Sequence, residues 1–237
     1  ESPYKALISK ETKVLLKNLS NIQSCKIAVI SGRTLNDIKK MLEIKNVIYA
    51  GNHGLEIEGP KIKFKSSVSP GYRKILQQIK NDLRIRLSNI KGAFVEDKGL
   101  SLSLHYRLVD KKLVSFVKNI FHEIIILYLV RDKIKIREGK MVLEVRSPVE
   151  WDKGKAVLWL LARQQFISGD NKILPIYIGD DVTDEDAFGA LRNRGLTIFV
   201  GKSKPSLARY YLKDTQEVNE FLKRILELKG DTKVCRN

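Results

Sequence analysis

The sequence predicts an α/β protein in which a parallel sheet covered by helices on both faces is interrupted midway by a smaller α+β unit. Three observations predict it. Short apolar runs without alternation, such as Lys26-Ile27-Ala28-Val29-Ile30 and Ile173 to Ile178, each end in a glycine or carboxylate turn and give way to helical periodicity, as strands buried on both sides do. The middle of the chain alternates instead, with Leu100, Leu102 and Leu104 on one side of a strand, as in an antiparallel sheet with one wet face. A length of 237 residues suits one large domain or a domain carrying an insertion.

Taken in order, the first strand ends at Ser31-Gly32-Arg33, and a helix begins at Thr34 with Leu35, Ile38, Met41 and Leu42 on one face. The run Val47-Ile48-Tyr49-Ala50 ends at Gly51-Asn52-His53-Gly54. From about Val68, a helix with Tyr72, Ile75, Leu76, Ile79 and Leu83 on its apolar side leads into a hairpin turning at Asp97-Lys98-Gly99. A second helix around Leu113 to Phe121 repeats the plan with a second hairpin, Ile134 to Arg137 and then Met141 to Arg146, across Glu138-Gly139-Lys140. This helix-hairpin unit, written twice, marks residues 68–147 as an insertion between core segments 1–67 and 148–237. Then Trp151-Asp152-Lys153-Gly154-Lys155 opens an apolar helix (Val157, Leu158, Leu160, Leu161), and the strand Ile173 to Ile178 follows. Ala187, Phe188 and Leu191 read as another helix face and Leu196 to Val200 as a last strand. Ligands of parallel sheets sit beyond the carboxyl ends of the strands, so the turns at Ser31, Asn52 and Asp180 are expected to converge on one crevice.

Charge and composition narrow the function. The formal net charge is +17, from 44 basic and 27 acidic residues. The cations run from Lys5 to Arg236 without a tight block interleaved with aromatics, and Lys111, Lys112 and Lys118 fall on predicted solvent faces. That distribution argues against a dedicated nucleic-acid surface and for a diffuse field drawing a small anionic substrate, screened over roughly 8–10 Å. No apolar run approaches the roughly 20 residues of a spanning helix. The longest, Ile124 to Val130, is bounded by Glu123 and Arg131, and no apolar leader opens the chain. A cytoplasmic protein without a membrane role is the expectation, with Cys25 and Cys235 reduced.

The chemistry concentrates at Ile176-Tyr177-Ile178-Gly179-Asp180-Asp181-Val182-Thr183-Asp184-Glu185-Asp186, where an apolar run releases five carboxylates within seven residues. Hard cations such as Mg²⁺ take oxygen ligands and share them with phosphates, so this is the composition of a divalent-cation site at a strand mouth. The same residues would also serve as an acidic helix start with Thr183 as N-cap, but Asp180 and Asp181 precede that cap. Ser31-Gly32-Arg33 sets a hydroxyl, backbone amides and a cation at a helix start, where the dipole favours an anion. Lys153, at the N-terminal end of its helix, could reach a phosphate. His53 reads either as a proton donor or sugar contact, or as a satisfied loop histidine, and His122 as a surface residue of a helix.

Taken together and in order, Ser31-Gly32-Arg33, Gly51-Asn52-His53-Gly54, Glu96-Asp97-Lys98, His105-Tyr106-Arg107, Glu144-Val145-Arg146, Lys153-Gly154 and Gly179-Asp180-Asp181-Val182-Thr183-Asp184-Glu185 resemble the trehalose-6-phosphate phosphatases. These belong to the haloacid dehalogenase superfamily, in the branch with an α+β cap inserted after the third strand of a Rossmann-like core. The resemblance implies Mg²⁺-dependent hydrolysis of trehalose 6-phosphate to trehalose and phosphate, in trehalose biosynthesis. It implies Ser31, Lys153 and Asp180 as the catalytic set: Ser31, with Gly32 and Arg33, holds the phosphoryl group, Lys153 neutralises it, and Asp180 ligands the metal. Asp181 and Asp184 would ligate the metal or orient its waters. Lys98, His105, Arg107, Glu144 and Arg146 of the cap would grip the sugar, with Asn52, His53 and Gly54 at its rim. A monomer is expected, with a trehalose-phosphate synthase as a partner to look for.

Family members carry a strand ending in Asp-x-Asp-Gly-Thr, whose first Asp attacks phosphorus and whose second protonates the leaving oxygen. Here Glu1-Ser2-Pro3-Tyr4 looks like the segment just after that motif, and no Asp precedes Asp37. The expectation is an incomplete copy of an active enzyme. The alternatives are a catalytically dead sugar-phosphate-binding homologue, or a phosphatase for sucrose phosphate or for mannosyl- or glucosyl-phosphoglycerate.

Overall fold

The computed structural model describes residues 8–66, 68–169, 172–202 and 204–231, so Lys5, Cys235, Arg236 and the Glu1 to Tyr4 segment lie outside the described residues. The chain divides into two compact units, one formed by Glu1–Lys65 with Trp151–Asn237 and the other by Ser66–Glu150.

The first unit opens with α1 (Lys10–Ser20), β1 (Ile27–Ile30), α2 (Leu35–Leu42), β2 (Val47–Gly51), β3 (Glu56–Gly59) and β4 (Ile62–Lys65). The second contains α3 (Pro70–Arg86), β5 (Phe94–Asp97), β6 (Ser101–His105), α4 (Val114–Val130), β7 (Lys135–Gly139) and β8 (Val142–Arg146). The chain then returns to the first unit with α5 (Lys153–Ser168), β9 (Ile176–Gly179), α6 (Glu185–Leu191), β10 (Leu196–Val200), β11 (Tyr210–Leu212) and α7 (Thr215–Asp231).

Among the described residues, the core strands form two sheets rather than one parallel sheet. In the order β1-β2-β3-β4, only β1 and β2 are parallel, while β3 and β4 fold back as an antiparallel hairpin. The sequence reading missed this hairpin because Ile57, Ile62 and Phe64 alternate with Glu56, Glu58, Lys63 and Lys65 instead of forming an apolar run. The other sheet, β11-β10-β9, is parallel throughout. Leu174 is 62% exposed and precedes β9, which starts later than the apolar run from Ile173 suggested.

β1 and β9 each end their sheet, and both are apolar yet incompletely buried, whereas all five residues of β2 are buried. Helices nevertheless bridge the two sheets. Ile30 of β1 and Tyr177 of β9 pack into one cluster with Val157 of α5 and Ala187 and Leu191 of α6. Ile27, one pleat away on the other face of β1, packs with Leu15 and Leu19 of α1 and Leu222 of α7.

In the second unit, the order β5-β6-β8-β7 is antiparallel throughout. Leu102, Leu104, Leu143 and Val145 lie buried on one face of the sheet, and Ile79, Leu83, Val117 and Phe121 of α3 and α4 are buried as well. The other face is half-exposed, as alternation predicted, with Phe94 and Lys135 exposed, although Ser101, Ser103 and Glu144 on it are buried. Glu144 tolerates burial because it collects hydrogen bonds and charge from its neighbours, the buried Ser101 hydroxyl among them. α4 runs well past Phe121 and absorbs the Ile124 to Val130 run. By length and composition, Lys111–Val130 could cross a membrane, at a mean hydropathy of 1.7. Its buried stripe, Val117, Ile120, Phe121 and Ile125, is that of a helix packed on one face.

Candidate active site

The first turn of α5 is the hub of the core unit. Asp152 caps the helix, accepting from the Lys155 amide at 2.8 Å, so Lys153 becomes the first helical residue and is 7% exposed. Gly54 lies in the left-handed region at φ 95°, and a Cβ there would meet the Ala156 methyl at 2.3 Å, so the turn after β2 sits directly on α5. That turn, Asn52–Gly54, also takes up the end of β1. The Asn52 amide donates to the Arg33 carbonyl at 2.7 Å and the His53 amide to the Ser31 carbonyl at 2.8 Å. Asn52 and His53 both hold positive φ, at 51° and 57°, a strain kept where surrounding bonds fix it. The Ser31 and Asn52 turns are therefore brought together as predicted. The Ser31 hydroxyl accepts from the Arg33 amide at 3.2 Å.

α5 meets the acidic turn through Lys153, whose ammonium donates to Asp184 Oδ1 at 2.6 Å, with Asp184 only 4% exposed. The same oxygen accepts from the Tyr177 phenol at 2.7 Å, and Oδ2 accepts from the amides of Asp180 at 3.0 Å and Asp181 at 2.9 Å. Asp184 therefore binds the turn together. Burial alone would raise its pKa, but the Lys153 charge and these hydrogen bonds hold it below the usual carboxylate range. Tyr177, buried beside that carboxylate, has its phenol pKa pushed far up and stays protonated. The helix start is capped by Asp181, which exchanges hydrogen bonds with Asp184 in a capping box around the 3₁₀ turn Val182–Asp184. Thr183 is not the N-cap, because this 3₁₀ turn inserts ahead of α6 and moves the cap back two residues.

Asp180 differs from its neighbours. It keeps solvent contact, yet the protein around its carboxyl, followed by the charges of Asp184 and Asp181, pushes its pKa up. A cation there would relieve that repulsion. Among the described residues, no group of three or more His, Cys, Asp or Glu side chains could enclose a metal. Mg²⁺ needs no such cage, since it keeps several waters and takes one or two carboxylates plus a phosphate. Asp180 and its turn fit that half-site.

In the second unit, the polar sheet face gathers Lys98, Glu144 and Arg146. Glu144 accepts from Lys98 at 3.3 Å, from the Ser101 hydroxyl at 3.0 Å and from Arg146 Nε at 2.6 Å. His105 pairs with Glu96 at 2.8 Å. Arg107 lies beyond the other end of β6 from Lys98, donating to the Lys140 carbonyl at 3.3 Å. The site list drawn from sequence omitted Glu96, Tyr177 and Arg137, which the register sets across from Glu144. Tyr177 carried a signal: a lone phenol in an otherwise aliphatic strand, two residues before its glycine. His122 is exposed on α4, as expected of a surface residue.

A family model described as Trehalose-phosphatase matches residues 1–216. Trehalose-phosphate phosphatase B of Arabidopsis thaliana is 34% identical over 244 residues, covering 98% of this chain and 64% of that protein. The probable trehalose-phosphate phosphatase C of the same plant is 34% identical over 242 residues, covering 98% of this chain and 74% of that protein. The chain thus spans less than two thirds of the first relative's length. Among solved structures, a trehalose-6-phosphate phosphatase related protein aligns at a TM-score of 0.78 and 23% identity, over 98% of this chain and 93% of that one. The C-terminal domain of the Candida albicans trehalose synthase regulatory protein aligns at 0.70 and 13%, over 94% and 89%, so the fold alone does not assign catalysis. The nearly full-length match in sequence goes further than shared fold: the chain belongs to the trehalose-phosphatase family of the haloacid dehalogenase superfamily.

Proposed function

We propose that this chain is the phosphatase portion of an enzyme that hydrolyses trehalose 6-phosphate to trehalose and phosphate with Mg²⁺. The observation that carries the reading is the buried Lys153–Asp184 pair at the first turn of α5, where the Ser31 turn, the Asn52 turn and the Asp180 turn are joined. Burying a lysine beside a loop of carboxylates is costly unless its charge has a task, and an incoming phosphoryl group gives it one. The Ser31 hydroxyl and the backbone that follows would hold phosphoryl oxygens at the start of α2, and Lys153 would neutralise them. Asp180, with its turn held by Asp184, would seat the cation, which when bound supplies Lewis-acid charge opposite the same oxygens. Lys98, His105, Glu144 and Arg146 offer donors and acceptors in the density that sugar hydroxyls require, and Arg107 extends them.

Hydrolysis through an aspartyl phosphate also needs an attacking carboxylate. The family pattern carries it on an Asp-x-Asp-Gly-Thr strand. The test is phosphate release from trehalose 6-phosphate, with and without Mg²⁺, by the 237-residue chain and by a version extended with that strand. Release only from the extended, Mg²⁺-supplied version is the expected result. Silence of both, with retained binding of the sugar phosphate, would replace the enzyme reading with a non-catalytic binding module. Hydrolysis confined to sucrose phosphate or a glycosyl-phosphoglycerate would change the substrate.

A further inference from the structure

We infer that Tyr177 is a positioning residue for the cation turn: its phenol fixes how the Asp184 carboxylate is oriented, and through that carboxylate the backbone on which Asp180 is carried. This rests on the cation-dependent reading above for its consequence, but not for its geometry. A carboxylate offers about four lone-pair directions, and all four of Asp184 are taken. Lys153 and Tyr177 meet Oδ1 at 2.6 and 2.7 Å, and the amides of Asp180 and Asp181 meet Oδ2 at 3.0 and 2.9 Å. A lysine ammonium is a flexible point charge that could be met by either oxygen or both, so Lys153 does not by itself choose a rotamer. The phenol can choose, because its ring is held by packing. It packs edge-on against Phe188 at 5.6 Å and joins the cluster of Val157, Ala187 and Leu191. With the hydroxyl fixed to Oδ1, Oδ2 is left facing the two amides. The carboxyl group is also pressed against the end of β9, where a Cβ on Gly179 would meet Asp184 Cγ at 2.4 Å. Removing the hydroxyl lets the carboxylate swing toward Lys153 and releases both amides.

The test compares Tyr177→Phe with Leu191→Ala, which loosens the same cluster without touching the hydroxyl. Two readouts are taken on the 237-residue chain: backbone amide exchange of Asp180 and Asp181 by NMR, and Mn²⁺ affinity by water-proton relaxation. In Tyr177→Phe, exchange of both amides should quicken about fivefold or more and Mn²⁺ affinity should fall about five- to tenfold, the scale of a typical net hydrogen bond. Leu191→Ala should lower the melting temperature with both readouts near those of the unaltered chain. Unchanged amides in Tyr177→Phe, or losses that merely follow the melting temperature in both variants, would overturn the inference. Faster exchange in Tyr177→Phe, with no Mn²⁺ bound even by the unaltered chain, would support the positioning role and count against the cation-dependent reading alone.

Discussion

At the scale of single residues, the acidic turn contains carboxylates of opposite energetic sense. Asp184 has its folded pKa lowered, so it stabilises the fold at pH values above its unfolded pKa, near 4, and that contribution disappears as pH falls through the folded value. Asp180 has its pKa raised, so its ionised form works against folding as pH rises past its unfolded value. Asp180→Asn should therefore abolish Mg²⁺-dependent turnover in the strand-extended chain while leaving the thermal midpoint at pH 7 equal or higher. A lowered midpoint would mean that Asp180 is held by contacts rather than repelled. Lys153→Met should behave in the opposite way. It leaves the 4% exposed Asp184 charged without its ammonium and should cost about 3–5 kcal/mol in urea unfolding at neutral pH. That deficit should shrink as the pH is lowered, because burial without the ammonium drives Asp184 to take up a proton, after which it no longer needs a charged partner.

At the scale of elements, two parts of the chain use polar residues differently. The strands of the core end in turns whose backbone hydrogen bonds link one strand end to the next, as when Asn52 and His53 donate to the carbonyls of Arg33 and Ser31. The sheet of the inserted unit builds its chemistry on the strands themselves, around Glu144. Arg146 shares that carboxylate with Lys98, so Arg146→Ala leaves Glu144 the Lys98 ammonium and need not unfold the sheet. The expected outcome is a several-fold rise in KM for the disaccharide phosphate with little change in hydrolysis of a generic aryl phosphate. An equal loss on both substrates would reassign Arg146 to the phosphate. How much of each element was legible follows from its pattern. β10 was readable to the residue, because Leu196 to Val200 is a short apolar run bounded by Gly195 and Gly201. The β3–β4 hairpin was not, because charged Lys and Glu on one side of each strand hide the alternation of so short a pair.

At the scale of the whole molecule, the two units carry separate cores. Residues 66–150 close an antiparallel sheet, with Leu102, Leu104 and Val145 each no more than 1% exposed. Expressed alone, that segment should unfold in one cooperative transition, with native-like near-UV circular dichroism. A structureless spectrum would show that its fold depends on the other unit. The sequence by itself determined the α/β class, the order of its turns and the carboxylate-rich stretch, because periodicity and local composition are short-range properties. Only the tertiary structure decided that the core strands lie in two sheets and that Asp181 rather than Thr183 caps the turn. It also decided that Asp184 spends its lone pairs on Lys153, Tyr177 and two backbone amides. Those outcomes depend on which distant groups meet in three dimensions, and spacing along a chain does not encode that.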